Sequence, residues 1–89
     1  MNSDILLSVQ DISDLKHMIG FDYKQVRKGK YIAWRNRYYC TTPVERFERL
    51  VRLNVCGKYE NNNSIIYYLS EHGFEVLGKI LGVKMVEEG

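Results

Sequence analysis

Eighty-nine residues, 45% apolar and 27% charged, suffice for one small globular domain over residues 1–89 and leave little volume for a deep catalytic cavity. Net charge is only +2 but unevenly placed: residues 1–23 carry −3, whereas residues 24–37 carry +6 from Lys24, Arg27, Lys28, Lys30, Arg35 and Arg37. No apolar run approaches the roughly 20 residues of a membrane span, and an N-terminus with Asp4, Asp11 and Asp14 but no early base does not read as a secretory leader. A cytoplasmic location without membrane association is expected, with Cys40 and Cys56 as free thiols.

Ile5, Val9, Ile12, Leu15 and Ile19 fall on one helical stripe, with Ser3 or Asp4 as its cap, or Asp11 as the start of a shorter helix over 11–19. Gly20 suits the left-handed position that ends it. Residues 21–29 are polar and basic and read as a loop. Residues 31–41 have the aromatic composition of strands, either as one long strand or as a hairpin turning near Arg35 and Asn36. Alternation there puts Tyr31, Ala33, Arg35 and Arg37 on one side, with Ile32, Trp34, Asn36 and Tyr38 on the other, and assigns Trp34 to the core.

Thr42, Pro43 and Glu45 spell a helix start, with threonine as N-cap, proline at N1 and glutamate at N3. The helix they open is expected to bury Val44, Phe47, Leu50, Val51 and Val55, to carry Glu45–Arg49 and Glu48–Arg52 pairs, and to close at Gly57. Lys58, Tyr59 and Glu60 form a strand, residues 61–64 a polar turn tolerant of positive φ, and residues 65–69 its partner. Ser70 caps a last helix with Phe74, Leu77 and Leu81 on one face, Gly82 ends it, and residues 83–86 form a short final strand.

The run RFERLVRLNVCGKYENNNSIIYYLSEHGFEVLG resembles the second half of winged-helix domains, with Leu69, Ser70, Glu71, His72 and Gly73 at the junction from wing to packing helix. That resemblance implies an α+β, winged-helix-like domain: helix, aromatic strand or hairpin, helix, β-hairpin wing, C-terminal helix. The departure lies upstream, where one helix and a strand segment stand in place of two helices. DLKHMIGFDYK, WRNRYYCTTP and YYLSEHGFEVLGKILGV together are similar to a group of small phage and prophage proteins. Its His-x-x-Gly and aromatic-Arg-Asn-x-aromatic patterns fall on His17, Gly20, Trp34, Arg35, Asn36 and Tyr38, and the likeness implies a phage or mobile-element origin.

The expected role is a regulatory, non-enzymatic nucleic-acid-binding protein, DNA being the leading ligand. Lys24, Arg27, Lys28, Lys30, Arg35 and Arg37 supply phosphate contacts; Arg46, Arg49 and Arg52 on the central helix and Lys58 on the wing assist. Against this stands the plainer account of solvated charges, with Glu45 and Glu48 repelling phosphate. Arg35 offers a planar fork for phosphate, and Asn36 either stabilises a turn or reads an adenine edge. The alternative is an anti-defence protein, of anti-CRISPR type, that docks on a host nucleic-acid-handling protein. Homodimerisation stays open. No catalytic residue is assigned: His17 has no acid/base partner in the sequence and sits where a cation favours a helix C-terminus. No cofactor or metal is expected, since Cys40, Cys56, His17 and His72 lack the close spacing of zinc ligands.

Overall fold

The computed structural model describes residues 7–87 as an α+β domain of three helices, five strands and one 3-10 turn. Helix α1 spans Val9–Ile19, and the 3-10 turn Tyr23–Gln25 follows it. Strands β1 (Lys30–Ala33) and β2 (Tyr38–Cys40) precede helix α2 (Glu45–Arg52). Strands β3 (Cys56–Asn61) and β4 (Ser64–Leu69), helix α3 (Glu71–Leu81) and strand β5 (Lys84–Glu87) complete the order. One sheet runs β2-β4-β3, antiparallel throughout; the other is a parallel pair of β1 and β5.

Local chemistry accounts for the C-terminal half. Asn62 and Asn63 adopt positive φ in the β3–β4 turn, the geometry that lets a two-residue hairpin follow the strand twist. Ser70 accepts from the Gly73 amide at 3.0 Å and caps α3, while its hydroxyl donates to the Asn54 carbonyl at 2.6 Å. A Cβ on Gly73 would stand 2.0 Å from the Val55 carbonyl oxygen and 2.6 Å from a Leu69 methyl. The glycine of the junction is therefore required by the closeness of the first turn of α3 to the start of the hairpin.

The N-terminal half departs from the sequence reading. Ser8 caps α1 in a reciprocal box with Asp11: the Asp11 amide donates to the Ser8 hydroxyl at 3.0 Å, and the Ser8 amide donates to the Asp11 carboxylate at 2.9 Å. Asp11 is thus the third residue of the helix and not its start; the alternative caps Ser3 and Asp4, and Ile5, lie outside the described residues. Val9 is 86% exposed, and the buried face is Asp11, Asp14, Leu15, Met18 and Ile19. Gly20 ends the helix in the left-handed conformation, as expected.

Residues 31–41 form neither one strand nor a hairpin. They divide into β1 and β2, which belong to different sheets. Tyr31 and Ala33 face the core, while Ile32 and Trp34 are half exposed, so Trp34 is not a core residue. The physical reason is the parallel pairing with β5, whose Met85 lies opposite Tyr31 and packs against the core on the same face.

Helix α2 starts later than the Thr42-Pro43 signal suggests. Val44 is extended and serves as N-cap without any side-chain cap, and its amide donates instead to the Tyr67 hydroxyl of β4 at 3.3 Å. The helix closes through Asn54 in the left-handed region, and Gly57 already lies inside β3. Aromatic edge-to-face contacts run from His17 through Tyr38 and Phe47 to Tyr67, with centroid separations of 5.2, 4.9 and 5.1 Å, and tie both helices to the three-stranded sheet.

Gly73→Ala is expected to destabilise the domain by about 1–3 kcal/mol, the range of an overpacked core, because the obstacle is backbone that cannot rotate away. A denaturant melt that leaves the variant within error of the wild type refutes this account of the junction.

Candidate nucleic-acid interface

The ten cations expected to meet phosphate separate into three groups. The first is paired with carboxylates. Arg46 Nε donates to Asp14 at 2.7 Å and Arg49 Nη1 donates to Asp11 at 2.9 Å, so both arginines are drawn onto α1. Arg52 pairs with Glu45, and Lys58 reaches Glu48 at 2.8 Å. The expected Glu45–Arg49 and Glu48–Arg52 pairs give way to these longer-range ones. Each of the four cations expected to assist from the central helix and wing thus lies beside a carboxylate, while the Arg46, Arg49 and Arg52 side chains stay 47%, 42% and 61% exposed.

Asp11 and Asp14 are 4% and 5% exposed. Burial pushes the Asp11 carboxyl up, but hydrogen bonds from the Ser8 amide, the Arg49 guanidinium and the Ser8 hydroxyl outweigh it, and the group sits below the ordinary carboxylate value. Glu48 is likewise held down, chiefly by Lys58 and then by the Tyr67 hydroxyl. Tyr67 in turn is pushed up to about 12, by burial first and by Glu48 second. Burial also pushes the Cys56 thiol up to about 12 and raises that of Cys40. No cluster of three or more His, Cys, Asp or Glu able to hold a metal occurs among the described residues.

The second group surrounds Trp34. Four successive carbonyls at the end of α1 are claimed by β1 and the chain that follows it. Arg35 Nη2 donates to the His17 carbonyl at 2.7 Å and the Arg37 amide to the Met18 carbonyl at 3.0 Å. The Tyr31 hydroxyl lies 3.2 Å from the Ile19 carbonyl and 2.7 Å from that of Gly20. Helix-terminal carbonyls that otherwise face solvent are thereby satisfied from one segment. The Trp34 indole rests on Gly20, where a Cβ would come within 2.7 Å of the ring, and the Arg35 guanidinium carbon stands 5.0 Å from the ring centroid. Trp34 nevertheless stays 55% exposed, and Tyr39 beside it is exposed as well.

Two shallow depressions meet on this ridge and share His17, Trp34 and Arg35. One, of about 550 Å³, continues over Lys16, Phe21 and Gln25; the other, of about 420 Å³, over Arg37, Tyr38 and Tyr39. Asn36 does not belong to their surface. Its amide donates to the Leu69 carbonyl at 2.9 Å and accepts from the Leu69 amide at 2.7 Å, completing the end of β4 as a strand residue would. Instead of stabilising a turn, Asn36 acts as a cross-strand partner of Leu69, which engages its amide. Five of the six residues of the His-x-x-Gly and Trp-Arg-Asn-x-Tyr patterns, His17, Gly20, Trp34, Arg35 and Tyr38, thus meet around the end of α1, while Asn36 closes β4.

The third group is Lys24, Arg27, Lys28 and Lys30. Lys24 lies in the 3-10 turn, and the others occupy a tight turn closed by reciprocal Arg27 and Lys30 main-chain hydrogen bonds at 2.9 and 3.0 Å. All four are exposed, as is Arg37, whereas Arg35 is half-buried; none of the six forms an ion pair among the described residues. Lys16 and Lys84 join these surfaces although the sequence reading did not select them. Lys16 could have been found from its place one residue before His17; nothing local marks Lys84.

The chain matches no protein-family model, no curated protein and no solved structure.

Because the folded-state pKa of Asp11 is depressed, its stabilisation is fully present above the unfolded carboxylate pKa and disappears as pH falls through the folded value. Asp11→Asn is expected to cost about 0.5–1.5 kcal/mol at neutral pH, the modest range set by the solvent exposure of Arg49, and to flatten the acid limb of stability against pH. Equal acid sensitivity in variant and wild type contradicts the assignment. For the ridge, Gly20→Ala combines a left-handed φ of 64° with a clash against the indole. It is expected to cost at least about 1 kcal/mol and to shift the emission of the single tryptophan; unchanged emission excludes the Trp34–Gly20 contact.

Proposed function

We propose that this chain is a non-enzymatic nucleic-acid-binding protein of the regulatory kind carried by phages, engaging its ligand through the ridge around Trp34. The observation that carries the reading is an exposed tryptophan held against a glycine, with one arginine over its ring and a second arginine and a tyrosine on the adjoining surface. Bases stack on exposed aromatic rings and on guanidinium planes, and neighbouring cations take the phosphates.

The ligand favoured by this surface is a single strand. Stacking on Trp34 needs an unpaired base, whereas the groove-entering reading needs free arginines on α2, which are engaged with Asp11, Asp14 and Glu45. The order β2, α2, β3, β4, α3, with β4 central in the sheet, supports the winged-helix likeness of the C-terminal half. Only residues 41–44 separate β2 from α2, so no further helix stands before α2 as it would in the standard form. On this reading the winged-helix-like half is scaffold, and recognition has moved to the junction of α1 with the aromatic segment. The meeting of the phage-type pattern residues at that junction supports both the origin and the site.

The test is a titration of single-stranded and duplex oligonucleotides monitored by the single tryptophan. Quenching by the single strand is expected, with a slope of log K against log[salt] of about −4 for six phosphate contacts. Trp34→Ala is expected to weaken single-strand binding by roughly 5–150-fold, corresponding to about 1–3 kcal/mol of stacking, and Arg37→Gln to reduce the salt slope by about 0.7. Arg52→Gln, altered in an exposed pair on α2, serves as the control and leaves binding unchanged. Absence of binding at low salt, or binding indifferent to Trp34→Ala and Arg37→Gln, refutes the proposal and directs the same ridge to a host nucleic-acid-handling protein.

A further inference from the structure

Parallel pairing sets Lys84 of β5 directly opposite Lys30 of β1. The two belong to the outer face: Tyr31 and Met85, the next pair in register, turn to the core, so the side chains before them turn to solvent, and both lysines are exposed. The Lys84 amide donates to the Gly29 carbonyl at 2.8 Å, which pins β5 to the turn that carries Arg27 and Lys28. Lys28 and Gly29 both take positive φ there. A lysine in that conformation at a turn tip projects outward, and asparagine would be the ordinary choice. Arg27 folds its guanidinium onto the Lys24 and Val26 carbonyls at 2.8 and 3.2 Å, which fixes its charge beside the turn.

Like charges placed opposite each other across a strand pair disfavour the pairing. Here two lysines face one another, two further cations flank them, and no ion pair offsets any of the four among the described residues. Glu71 and Glu75 of α3 and Glu87 of β5 line the groove that Lys84 borders, and Asp22 accepts from the Lys24 amide; none of them pairs with these cations among the described residues, and Glu75 pairs with His72. Such an arrangement leaves several unpaired cations close together on one exposed face.

We infer that Lys84 and Lys30, with Arg27 and Lys28, form a phosphate-binding knuckle that grips the backbone of a polyanionic chain independently of the bases. It stands about 13 Å from Trp34 along β1, four residues at the rise of a strand. The inference takes its natural ligand from the nucleic-acid reading above, but its chemistry requires only consecutive phosphates.

The experiment uses the full chain and two probes: a labelled oligothymidylate and inorganic polyphosphate, which has no bases. Lys30→Gln with Lys84→Gln is expected to lower the magnitude of the salt slope on the oligonucleotide by about 1.4, two contacts at about 0.7 each, and to abolish or weaken polyphosphate binding several-fold. The same double variant keeps or raises the melting temperature, because removing the facing charges relieves repulsion. Lys30→Arg with Lys84→Arg restores binding, and Lys84→Gln alone lowers the slope by about 0.7. Polyphosphate binding that survives Trp34→Ala and is lost in the glutamine variant supports the knuckle even where the base-stacking site fails. An oligonucleotide slope unaltered by the glutamine variant overturns the knuckle while leaving the stacking site intact. Binding of neither probe by the wild type overturns both.

Discussion

The clasp between α1 and α2 is the constraint from which the rest follows. Asp11 and Asp14 are buried against α2, and each carboxylate is filled: Asp11 by Ser8 and Arg49, Asp14 by Gln10 and Arg46. Carboxylates taken that far out of water persist only with such partners. The arginines lie at the surface of the same contact, so the clasp closes one side of the interface whose interior holds Leu15, Met18, Phe47 and Leu50. It also settles the electrostatics. The charges that make the central helix basic in sequence are neutralised by the acids that make the N-terminus acidic, and the field left over belongs to residues 24–37 and the lysines that join them.

At its far end α1 is received by the segment after β1. Arg35, the Arg37 amide and Tyr31 satisfy the terminal carbonyls, Gly20 turns the chain, and Trp34 lies over the turn. Asn36 then closes the end of β4 and comes within 3.3 Å of Glu87 on β5, which links the two sheets. A short run of residues thus fixes the helix end, joins both sheets and leaves an aromatic ridge outside. Arg35 combines both duties. One of its donors is spent on His17, which holds the guanidinium over the indole.

The surface that results has two cationic places of different kinds. One is built on rings and arginines beside the end of α1; the other is a lysine-rich turn reinforced by β5. Neither contains a buried acid/base pair, and the strongly shifted groups, Tyr67 and Cys56, lie in the core. No helix among the described residues is long and apolar enough to cross a membrane.

Much was written locally in the sequence. The asparagine turn with its two strands, the Ser70 cap, the Gly20 and Gly82 helix ends and the final strand each depend on a few neighbouring residues, and each forms where the residues place it. The concentration of positive charge in residues 24–37 is equally a property of the chain alone. Tertiary structure decided what depends on distant partners. Tyr67 takes over the start of α2 from Thr42, because a hydroxyl from β4 reaches the Val44 amide. Pairing of β1 with β5 turns Ile32 and Trp34 outward and brings Lys84 beside Lys30 across the length of the chain, and alternation within one strand cannot say which face is buried. The fate of the arginines on α2 was likewise outside local reach: i,i+4 spacing offered Glu45 and Glu48, worth a few tenths of a kcal/mol at an exposed surface, while the fold supplied buried aspartates that need a charge partner far more.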